Sequence, residues 1–299
     1  MSDGRKVGFI GIGMMGHGLA KSVQRAGYRI NFLVHPGNQP VDDLIDGGAE
    51  GLASAADIAR ASDVVFIVVT GSPEVENVVF SAGGLLEGLG AGKLVIDCST
   101  ALPESTMKVA AAIVEKGARY IDAPMTRTPM EAEEGRVNVM VGAEDADFAA
   151  AEPLLNAIAE NIYRAGGVST GHQMKLLHNF VALTNAVVLT EAVVCAQKGG
   201  VDIETLSEVL QTGGGDSTIL RRVRPYLEQD DVSAFRFSIS NACKDMGYYV
   251  GMAAAAKVPS GVAAAAHQTY VLAEAQGQGA NPVPKMIDFI GKLADVKPS

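Results

Sequence analysis

The chain has 299 residues, of which 24 are Lys or Arg and 34 are Asp or Glu, so its formal charge is −10. We expect no nucleic-acid partner and no anionic-membrane surface, because phosphate recognition needs clustered cations. The sequence is 48% hydrophobic and 19% charged, which excludes intrinsic disorder and suits one or two domains with real cores.

No targeting or metal-binding pattern stands out along the chain. The three cysteines are far apart and form no CxxC pair, and the five histidines lack ligand spacing, so we predict no metal. Residues 1–6 contain no secretory apolar region. The most apolar run, 181–196, is interrupted by Asn185 and Glu191 and is shorter than the roughly 20 residues of a membrane span. We expect a cytoplasmic protein.

The first half of the chain alternates between short apolar runs and helical patterns. The runs at 63–69 and 94–97 are continuously apolar, as in parallel strands that are buried on both faces. This alternation predicts an α/β doubly wound sheet. The predicted strands are 7–10, 28–34, 63–69, 94–97, 120–122 and 137–141, and the predicted helices are 15–26, 55–61, 74–80 and 103–116.

From residue 171 onward the pattern is helical almost throughout. Glycine clusters at 199–200 and 213–215 indicate helix ends, and Asp202 is expected to be an N-cap. We therefore predict an α/β domain over residues 1–166 and an all-helical domain over residues 167–299. The predicted helices are about 170–198, 202–211, 217–228, 241–256, 259–276 and 282–294.

A GxGxxG motif follows the first predicted strand and opens the first helix. Glycines at this spacing allow a tight turn, close approach of the backbone to a pyrophosphate, and close packing of helix on strand. The alternative is a glycine-rich structural turn, but the position at the first strand–helix turn of an alternating chain favours dinucleotide binding. The residues expected to contact the dinucleotide are Gly11, Ile12, Gly13, Met14, Met15 and Gly16.

The second predicted strand ends without the acidic residue that usually binds a ribose 2′-hydroxyl, and no arginine is placed there for a 2′-phosphate. His35 and Asn38 are placed to contact either form of the ribose. The alternative is a plain surface turn, with the choice of cofactor made elsewhere. A neutral site does little to stabilise a dianionic phosphate, so we expect NAD in preference to NADP.

Two loops with hydroxyl groups follow neighbouring predicted strands, Thr70-Gly71 and Ser99-Thr100. Open α/β sheets bind ligands beyond the carboxyl ends of their strands. We therefore expect Thr70 and Gly71 beside the cofactor, and the hydroxyls of Ser99 and Thr100 near the nicotinamide or the substrate. A helix cap for the helix that begins at Pro103 is the alternative role of Ser99 and Thr100.

With these motifs the chain resembles the β-hydroxyacid dehydrogenase family, which includes 3-hydroxyisobutyrate dehydrogenase and tartronate semialdehyde reductase. The resemblance implies a Rossmann domain followed by an all-helical domain like that of 6-phosphogluconate dehydrogenase. It also implies reversible oxidation of a β-hydroxy acid with NAD or NADP, and assembly into homodimers or homotetramers. The matching segments are residues 11–16, 97–103, 122–124, 171–179 and 244–246.

The resemblance also implies roles for individual residues. It places Thr100 near the nicotinamide ribose and Ser99 near the substrate, and it makes Lys175 the catalytic residue. Lys175 would exchange a proton with the hydroxyl or carbonyl oxygen, which requires its pKa to fall from about 10.4 through burial or a neighbouring cation. Asn179, four positions further along the same helical face, would hold the substrate and orient the lysine.

Two further residues have more than one interpretation. By the resemblance Lys244 approaches the cofactor or the substrate from the helical domain, and the alternative is an exposed ion pair with its neighbour Asp245. His178 could contact substrate or act as a relay, but a single histidine on a helix is more often a packing residue.

The turn after the predicted strand 120–122 departs from the family, whose members usually have Ser-Gly-Gly there to surround the substrate carboxylate with backbone N–H groups. Here the residues are Thr126, Arg127 and Thr128. A guanidinium offers an anion a charge-assisted fork, so we expect all three to bind a clearly anionic hydroxy acid or semialdehyde. An ion pair would be the alternative for Arg127, with Glu131, Glu133 or Glu134.

Sulfolactaldehyde reductases of this family have Gly-Arg-Thr at the same turn, and their arginine helps to bind the sulfonate. Those enzymes have Asn three positions after the lysine, where this chain has His178. The sequence therefore favours a dehydrogenase or reductase of small anionic β-hydroxy acids, with a sulfolactaldehyde-type reductase as the alternative. A non-catalytic NAD(P)-binding module is disfavoured, because Lys175 and Asn179 are both present.

Overall fold

The computed structural model describes residues 4–296. The chain divides into two compact units, Met1–Lys175 and Leu176–Ser299. The domain boundary at residues 166–167 stays a prediction from the change of pattern in the sequence.

The first unit contains one sheet with helices packed against it. Its strands are β1 (Lys6–Ile10), β2 (Arg29–Leu33), β3 (Glu50–Leu52), β4 (Val64–Ile67), β5 (Leu94–Asp97), β6 (Arg119–Asp122), β7 (Met125–Thr126), β8 (Val137–Gly142) and β9 (Ala159–Gly166). Its helices are α1 (Met14–Arg25), α2 (Asp42–Asp46), α3 (Ala55–Ala61), α4 (Ser72–Phe80), α5 (Pro103–Glu115), α6 (Pro129–Glu134) and α7 (Asp145–Ile158).

The strand order is β3-β2-β1-β4-β5-β6-β8-β7, and β9 pairs with β8. Strands β1 to β6 are parallel to one another, whereas β8 runs antiparallel to β6 and β7. The carboxyl ends of β1, β4, β5 and β6 therefore meet at one edge of the sheet. This arrangement confirms the predicted α/β doubly wound class.

Alternate residues of the central strands point to opposite faces of the sheet. Phe9 and Phe66 stack at 4.9 Å between ring centroids and belong to the core that includes Leu19 of α1. Ile10 and Ile67 belong to a second core with residues of α3 and α5. Both faces are thus covered, which explains why the strands are continuously apolar in sequence.

Several elements of the first unit were missing from the sequence prediction: α2, β3, α6, β7, α7 and β9. Helices α2 and α6 are only five and six residues long. Strand β3 has no buried residue, and the residues of β9 are half-buried or exposed in no regular order. Neither strand therefore shows the alternation of apolar and polar residues that predicts a strand. Helix α7 contains Pro153, which interrupts a helical pattern in sequence.

The described residues of the second unit form helices joined by loops, with one isolated β-bridge between Ser238 and Pro282, so the predicted all-helical class is confirmed. This unit contains most of α8 (Thr170–Gly199), followed by α9 (Ile203–Thr212), α10 (Thr218–Gln229), α11 (Ile239–Ala255), α12 (Gly261–Ala275) and α13 (Met286–Leu293). The Asp202 carboxylate accepts a hydrogen bond from Thr205 N at 2.7 Å, which confirms the predicted N-cap of α9. Helix α13 begins later than predicted, because Val283–Lys285 forms a separate 3₁₀ turn.

Within the described part of the chain, α8 is the one helix that is long and apolar enough to cross a membrane. Its most apolar window has a mean hydropathy of 1.6, and half of that window is buried inside the protein. Helices in the core of a protein satisfy the same criterion of length and composition.

Candidate active site

Two glycines of the GxGxxG motif are required by the protein's own packing. Gly11 has φ +98°, and a Cβ at this position would overlap the carbonyl oxygen of Val68, beyond β4. A Cβ at Gly16 would overlap the carbonyl oxygen of Gly11. These glycines therefore allow β1 to turn tightly into α1 against the neighbouring strand.

Gly13 faces open space instead. An added Cβ would meet no protein atom within 4 Å, and no side chain caps the start of α1. The first N–H groups of a helix attract anions, as does the positive end of its dipole. A pyrophosphate therefore fits over Gly13, beside the backbone of Ile12, Met14 and Met15. Among these residues, Met14 leaves its side chain 55% exposed.

The loop after β2 is hydrogen-bonded to the glycine motif. Gln39 N donates to the carbonyl oxygen of Ile12 at 2.7 Å, and Asn38 Nδ2 donates to the carbonyl oxygen of Leu33 at 2.9 Å. Gly37 N donates to His35 Nδ1 at 3.0 Å, so the neutral imidazole carries its proton on Nε2. The exposed ring of His35 can therefore offer an N–H donor beside the dinucleotide site.

The loops after β4 and β5 are bonded to each other. Val69 N donates to Ser99 Oγ at 3.1 Å, and Leu102 N donates to Ser72 Oγ at 2.8 Å. Thr70 and Gly71 lie in the first of these loops, where Gly71 precedes α4 without a side-chain cap. The structure thus brings the two predicted ligand loops together at the edge of the sheet.

The backbone of Ser99 is hydrogen-bonded to the buried carboxylate of Asp97. Ser99 N donates to Asp97 Oδ1 at 3.0 Å, and Tyr120 Oη donates to Asp97 Oδ2 at 2.9 Å. The N-cap of α5 is Leu102, with no side-chain hydrogen bond, so the alternative that Ser99 or Thr100 caps this helix is wrong. The Ser99 side chain turns back toward β4 instead.

Lys175 lies at the start of α8, half-buried, beside the turn that follows β6. Its Nζ donates to the carbonyl oxygen of Met125 at 2.7 Å. Met125 directly precedes Thr126, whose Oγ1 accepts a bond from Asn138 Nδ2 at 3.3 Å. The predicted catalytic lysine and the predicted anion turn are therefore adjacent.

Arg127 has a φ of +87°, a backbone conformation that glycine adopts without strain and that other residues rarely adopt. Its guanidinium donates to the carbonyl oxygen of Arg136 and forms an ion pair with Glu160, which lies on β9. The hydrogen bond from Arg127 lowers the pKa of Glu160. The suggested partners Glu131, Glu133 and Glu134 were wrong, because β9 was not predicted and its glutamate could not be placed next to the turn.

Thr128 begins α6 through a capping box. Its N–H donates to Glu131 Oε2 at 3.0 Å, and its hydroxyl also donates to that carboxylate. This backbone N–H is therefore engaged within the protein and is not directed at a substrate.

The second unit contains its own polar cluster around Asp245, which is only 2% exposed. Asn179 Nδ2 donates to Asp245 Oδ2, and Lys244 Nζ donates to Asp245 Oδ1, each at 2.6 Å. His178 Nδ1 and Asn179 Oδ1 are 2.9 Å apart. The alternative for Lys244, an ion pair with its neighbour Asp245, is therefore present, but the pair is largely buried and not exposed. The contact of Asp245 with Asn179 was not predicted from the sequence, although Asp245 lies inside a matching segment.

Residues 4–296 contain no group of three or more His, Cys, Asp or Glu side chains that could hold a metal ion.

Comparison with known proteins covers both units. Residues 6–167 match the family model of the NAD binding domain of 6-phosphogluconate dehydrogenase, and residues 169–290 match that of the NAD-binding domain of NADP-dependent 3-hydroxyisobutyrate dehydrogenase. A 2-(hydroxymethyl)glutarate dehydrogenase from Eubacterium barkeri is 30% identical over 301 residues, which cover 100% of this chain and 99% of the relative. The chain belongs to the β-hydroxyacid dehydrogenase family.

Other members of this family are similar over nearly the whole chain. The 3-sulfolactaldehyde reductase of Escherichia coli (strain K12) is 28% identical over 274 residues, which are 91% of each chain. The crystal structure of 3-hydroxyisobutyrate dehydrogenase from Salmonella typhimurium superposes with a TM-score of 0.84 at 27% identity, covering 95% of this chain and 99% of that one. The chain is thus a nicotinamide-dependent oxidoreductase of the hydroxyacid class, as predicted.

Gly13→Ala tests the pyrophosphate cradle. We expect Kd for NADH to rise by about tenfold or more, roughly 1.4 kcal/mol, because the methyl group would enter space that the cofactor needs. Stability should hardly change, since φ is −77° and no protein atom lies within 4 Å of the added Cβ. Fluorescence titration and calorimetry measure the two quantities.

Gly11→Ala is the matched control for this prediction. It should lower Tm, because its φ of +98° is unfavourable for alanine and the added Cβ would overlap Val68. Unchanged NADH affinity in folded Gly13→Ala would contradict the placement of the pyrophosphate.

Proposed function

We propose that this chain transfers a hydride between NAD and a small anionic β-hydroxy acid or its semialdehyde, of the 3-hydroxyisobutyrate type, with Lys175 as the acid–base residue. The observation that carries this proposal is the position of Lys175, whose Nζ is bonded to Met125 O beside the Thr126–Thr128 turn. It places a titratable amine next to the residues that would hold the substrate anion.

The bound nicotinamide supplies or accepts the hydride. Lys175 donates a hydrogen bond, and then a proton, to the carbonyl oxygen during reduction, and it accepts the hydroxyl proton during oxidation. Ser99 Oγ already accepts from Val69 N, so its own hydrogen is the one that can bind a substrate oxygen. Lys175 and Ser99 thereby orient the reacting carbon. The roles of Asn179, His178, Thr100 and Lys244 stay predictions.

Arg127 is proposed to bind the anionic end of the substrate. A non-glycine residue with positive φ carries backbone strain, and such strain is often found at functional sites. The N–H of Thr128 is engaged by Glu131, so the turn has fewer backbone donors for a carboxylate than the family's Ser-Gly-Gly turn would have. A guanidinium supplies the missing donors and a full charge. Glu160 would then compete with the substrate anion for Arg127.

A second candidate function is reduction of a sulfonated aldehyde of the sulfolactaldehyde type. Arg127 favours it, because a sulfonate has three acceptor oxygens for the N–H donors of a charged guanidinium. His178 is the residue that differs from the pattern of those reductases.

NAD is the proposed cofactor in preference to NADP. The loop at residues 33–39 contains no arginine or lysine. The hydrogen-bond donor that it offers to the ribose is the Nε2–H of His35, which can bind a ribose hydroxyl. A dianionic 2′-phosphate would gain little from one neutral donor. A kcat/KM for NADPH equal to or above that for NADH would contradict this preference.

We also propose a homodimer or homotetramer in the cytoplasm. Exposed apolar side chains repeat along one face of α8 in the second unit, and apolar faces of this kind mark protein interfaces. They include Leu177, Val181 and Val188, which are 44%, 57% and 59% exposed. Sedimentation velocity of the full chain tests the proposal, and a single monomeric species at micromolar concentration would contradict it.

Lys175→Met tests the acid–base assignment. With a panel of C3–C5 hydroxy acids, semialdehydes and sulfolactaldehyde, we expect wild-type turnover with at least one compound. The variant should lose about 10²–10⁴-fold in kcat, the usual contribution of a positioned acid–base group. Its Kd for NADH should stay within about twofold of wild type, since the GxGxxG motif is unchanged.

A non-catalytic NAD(P)-binding module would give a different result. It would bind the cofactor without turning over any compound, and Lys175→Met would then leave all measured properties unchanged.

Arg127→Ala and Glu160→Gln form a matched pair for the anion site. Arg127→Ala should lower kcat/KM by about 10–100-fold for dicarboxylate or sulfonate substrates and less for monocarboxylates, because a charge-assisted pair is lost. Glu160→Gln should lower KM for the same substrates, because it removes the competing carboxylate while retaining the shape of the side chain. An equal effect of Arg127→Ala on all substrates would contradict the role of this residue in anion binding.

A further inference from the structure

Asp122, the last residue of β6, is fully buried and accepts two backbone hydrogen bonds from the start of α8. Ser169 N donates to Asp122 Oδ1, and His172 N donates to Asp122 Oδ2, each at 2.7 Å. Each carboxylate oxygen thus binds one N–H group that has no partner within the helix. Burial raises the pKa of Asp122, whereas His172 and these backbone donors act in the opposite direction.

The surroundings of this carboxylate leave no room for larger residues. A Cβ on Gly142 would lie 2.6 Å from Asp122 Oδ1 and 2.8 Å from Gly171 N. A Cβ on Gly171 would lie 2.5 Å from Met140 O and 2.8 Å from Asp122 Oδ2. Helix α8 therefore approaches the sheet closely enough for direct bonds to Asp122 only because both positions are glycine.

The imidazole of His172 joins the first turn of α8 to α5 by a hydrogen bond. Its Nδ1 lies 2.7 Å from Thr106 Oγ1, which itself donates to the carbonyl oxygen of Leu102 at 3.0 Å. The hydroxyl therefore accepts from His172 Nδ1–H. His172 Nε2 is buried and has no hydrogen-bond partner among the described residues. The backbone is also constrained here, since Ser169 has φ +77°.

These contacts bear on Lys175, which follows His172 by three residues on α8. Its Nζ bonds to Met125 O, and Met125 follows Asp122 by three residues in the chain. Asp122 thus joins the segment that carries the lysine to the segment that carries its hydrogen-bond acceptor and the anion turn. A shift of either segment would move the Lys175 amine away from its position beside the substrate. Displacements of about 1 Å can lower the rate by about 10²-fold.

We propose that Asp122 is a positioning residue for Lys175: it anchors the first turn of α8 through its two backbone hydrogen bonds, assisted by the His172–Thr106 bond. This inference rests on the proposed catalytic role of Lys175. We assign neither Asp122 nor His172 a contact with the substrate or the cofactor.

Asp122→Asn tests the anchor with little change in volume. The amide retains one acceptor oxygen, but its NH₂ faces a backbone N–H donor, so one of the two bonds is lost. We expect kcat to fall by about tenfold or more. KM and Kd for NADH should stay within about twofold, because the dinucleotide motif belongs to β1 and α1. Hydrogen exchange in a peptide covering residues 169–175 should accelerate by about tenfold or more, while a peptide covering residues 7–20 stays unchanged.

Two further variants distinguish loss of the anchor from a general loss of stability. Ile58→Ala, fully buried on α3, should lower Tm without changing kcat at temperatures well below unfolding. Thr106→Val removes the bond to His172 and should reduce kcat in the same way but by a smaller factor, again without changing KM for NADH. It also tests the anchor if Asp122→Asn does not fold.

Wild-type kcat in Asp122→Asn, or in Thr106→Val when Asp122→Asn is unfolded, would overturn the proposal. So would a loss of kcat in Ile58→Ala equal to that in Asp122→Asn, or unchanged exchange at residues 169–175. Lys175→Met is measured in parallel to separate this result from the proposed function. If Lys175→Met keeps full turnover, the catalytic assignment itself fails, whereas full loss there combined with a normal Asp122→Asn refutes only the positioning role.

Discussion

Two buried carboxylates side by side at the carboxyl edge of the sheet are the constraint on which the candidate site depends. Asp97 and Asp122 are paired in register at the ends of β5 and β6, and neither is exposed. Unsatisfied charges at such depth would be very costly, so each needs hydrogen-bond donors. Asp97 obtains them from Tyr120 and Ser99, and Asp122 obtains them from the start of α8. Satisfying these charges therefore orders both the serine loop and the lysine helix.

The same edge contains two candidate sites of different character. The glycine motif after β1 offers backbone donors and open space, without a charged side chain. The turn after β6 instead has Arg127 and Lys175 nearby. A net charge of −10 therefore describes the protein as a whole, whereas these two cations lie beside the proposed substrate site. Their local placement determines the expected substrate class, and the total charge does not.

Local patterns predicted the alternating first unit, the helical second unit, the dinucleotide motif and the N-cap at Asp202. These features depend on neighbours a few residues apart. Glu160 could not be predicted as the partner of Arg127, because 33 residues separate them and β9 has no regular apolar period. The roles of Asp122 and Asp245 were missed for a related reason. Their partners, Ser169, His172 and Asn179, are 47 to 66 residues away, and only the fold brings them into hydrogen-bond distance.

Direct detection of hydride transfer tests whether the chain reduces a semialdehyde with Lys175 as its acid–base residue. The protein is incubated with C3–C5 semialdehydes and reduced NAD that carries deuterium at the transferable position, and the hydroxy-acid product is analysed by mass spectrometry. We expect one deuterium on the carbon that bears the new hydroxyl group, and formation of this product about 10²–10⁴-fold more slowly with Lys175→Met. Absence of deuterated product from every semialdehyde, in a wild-type protein that binds the reduced cofactor, would contradict the proposed reduction.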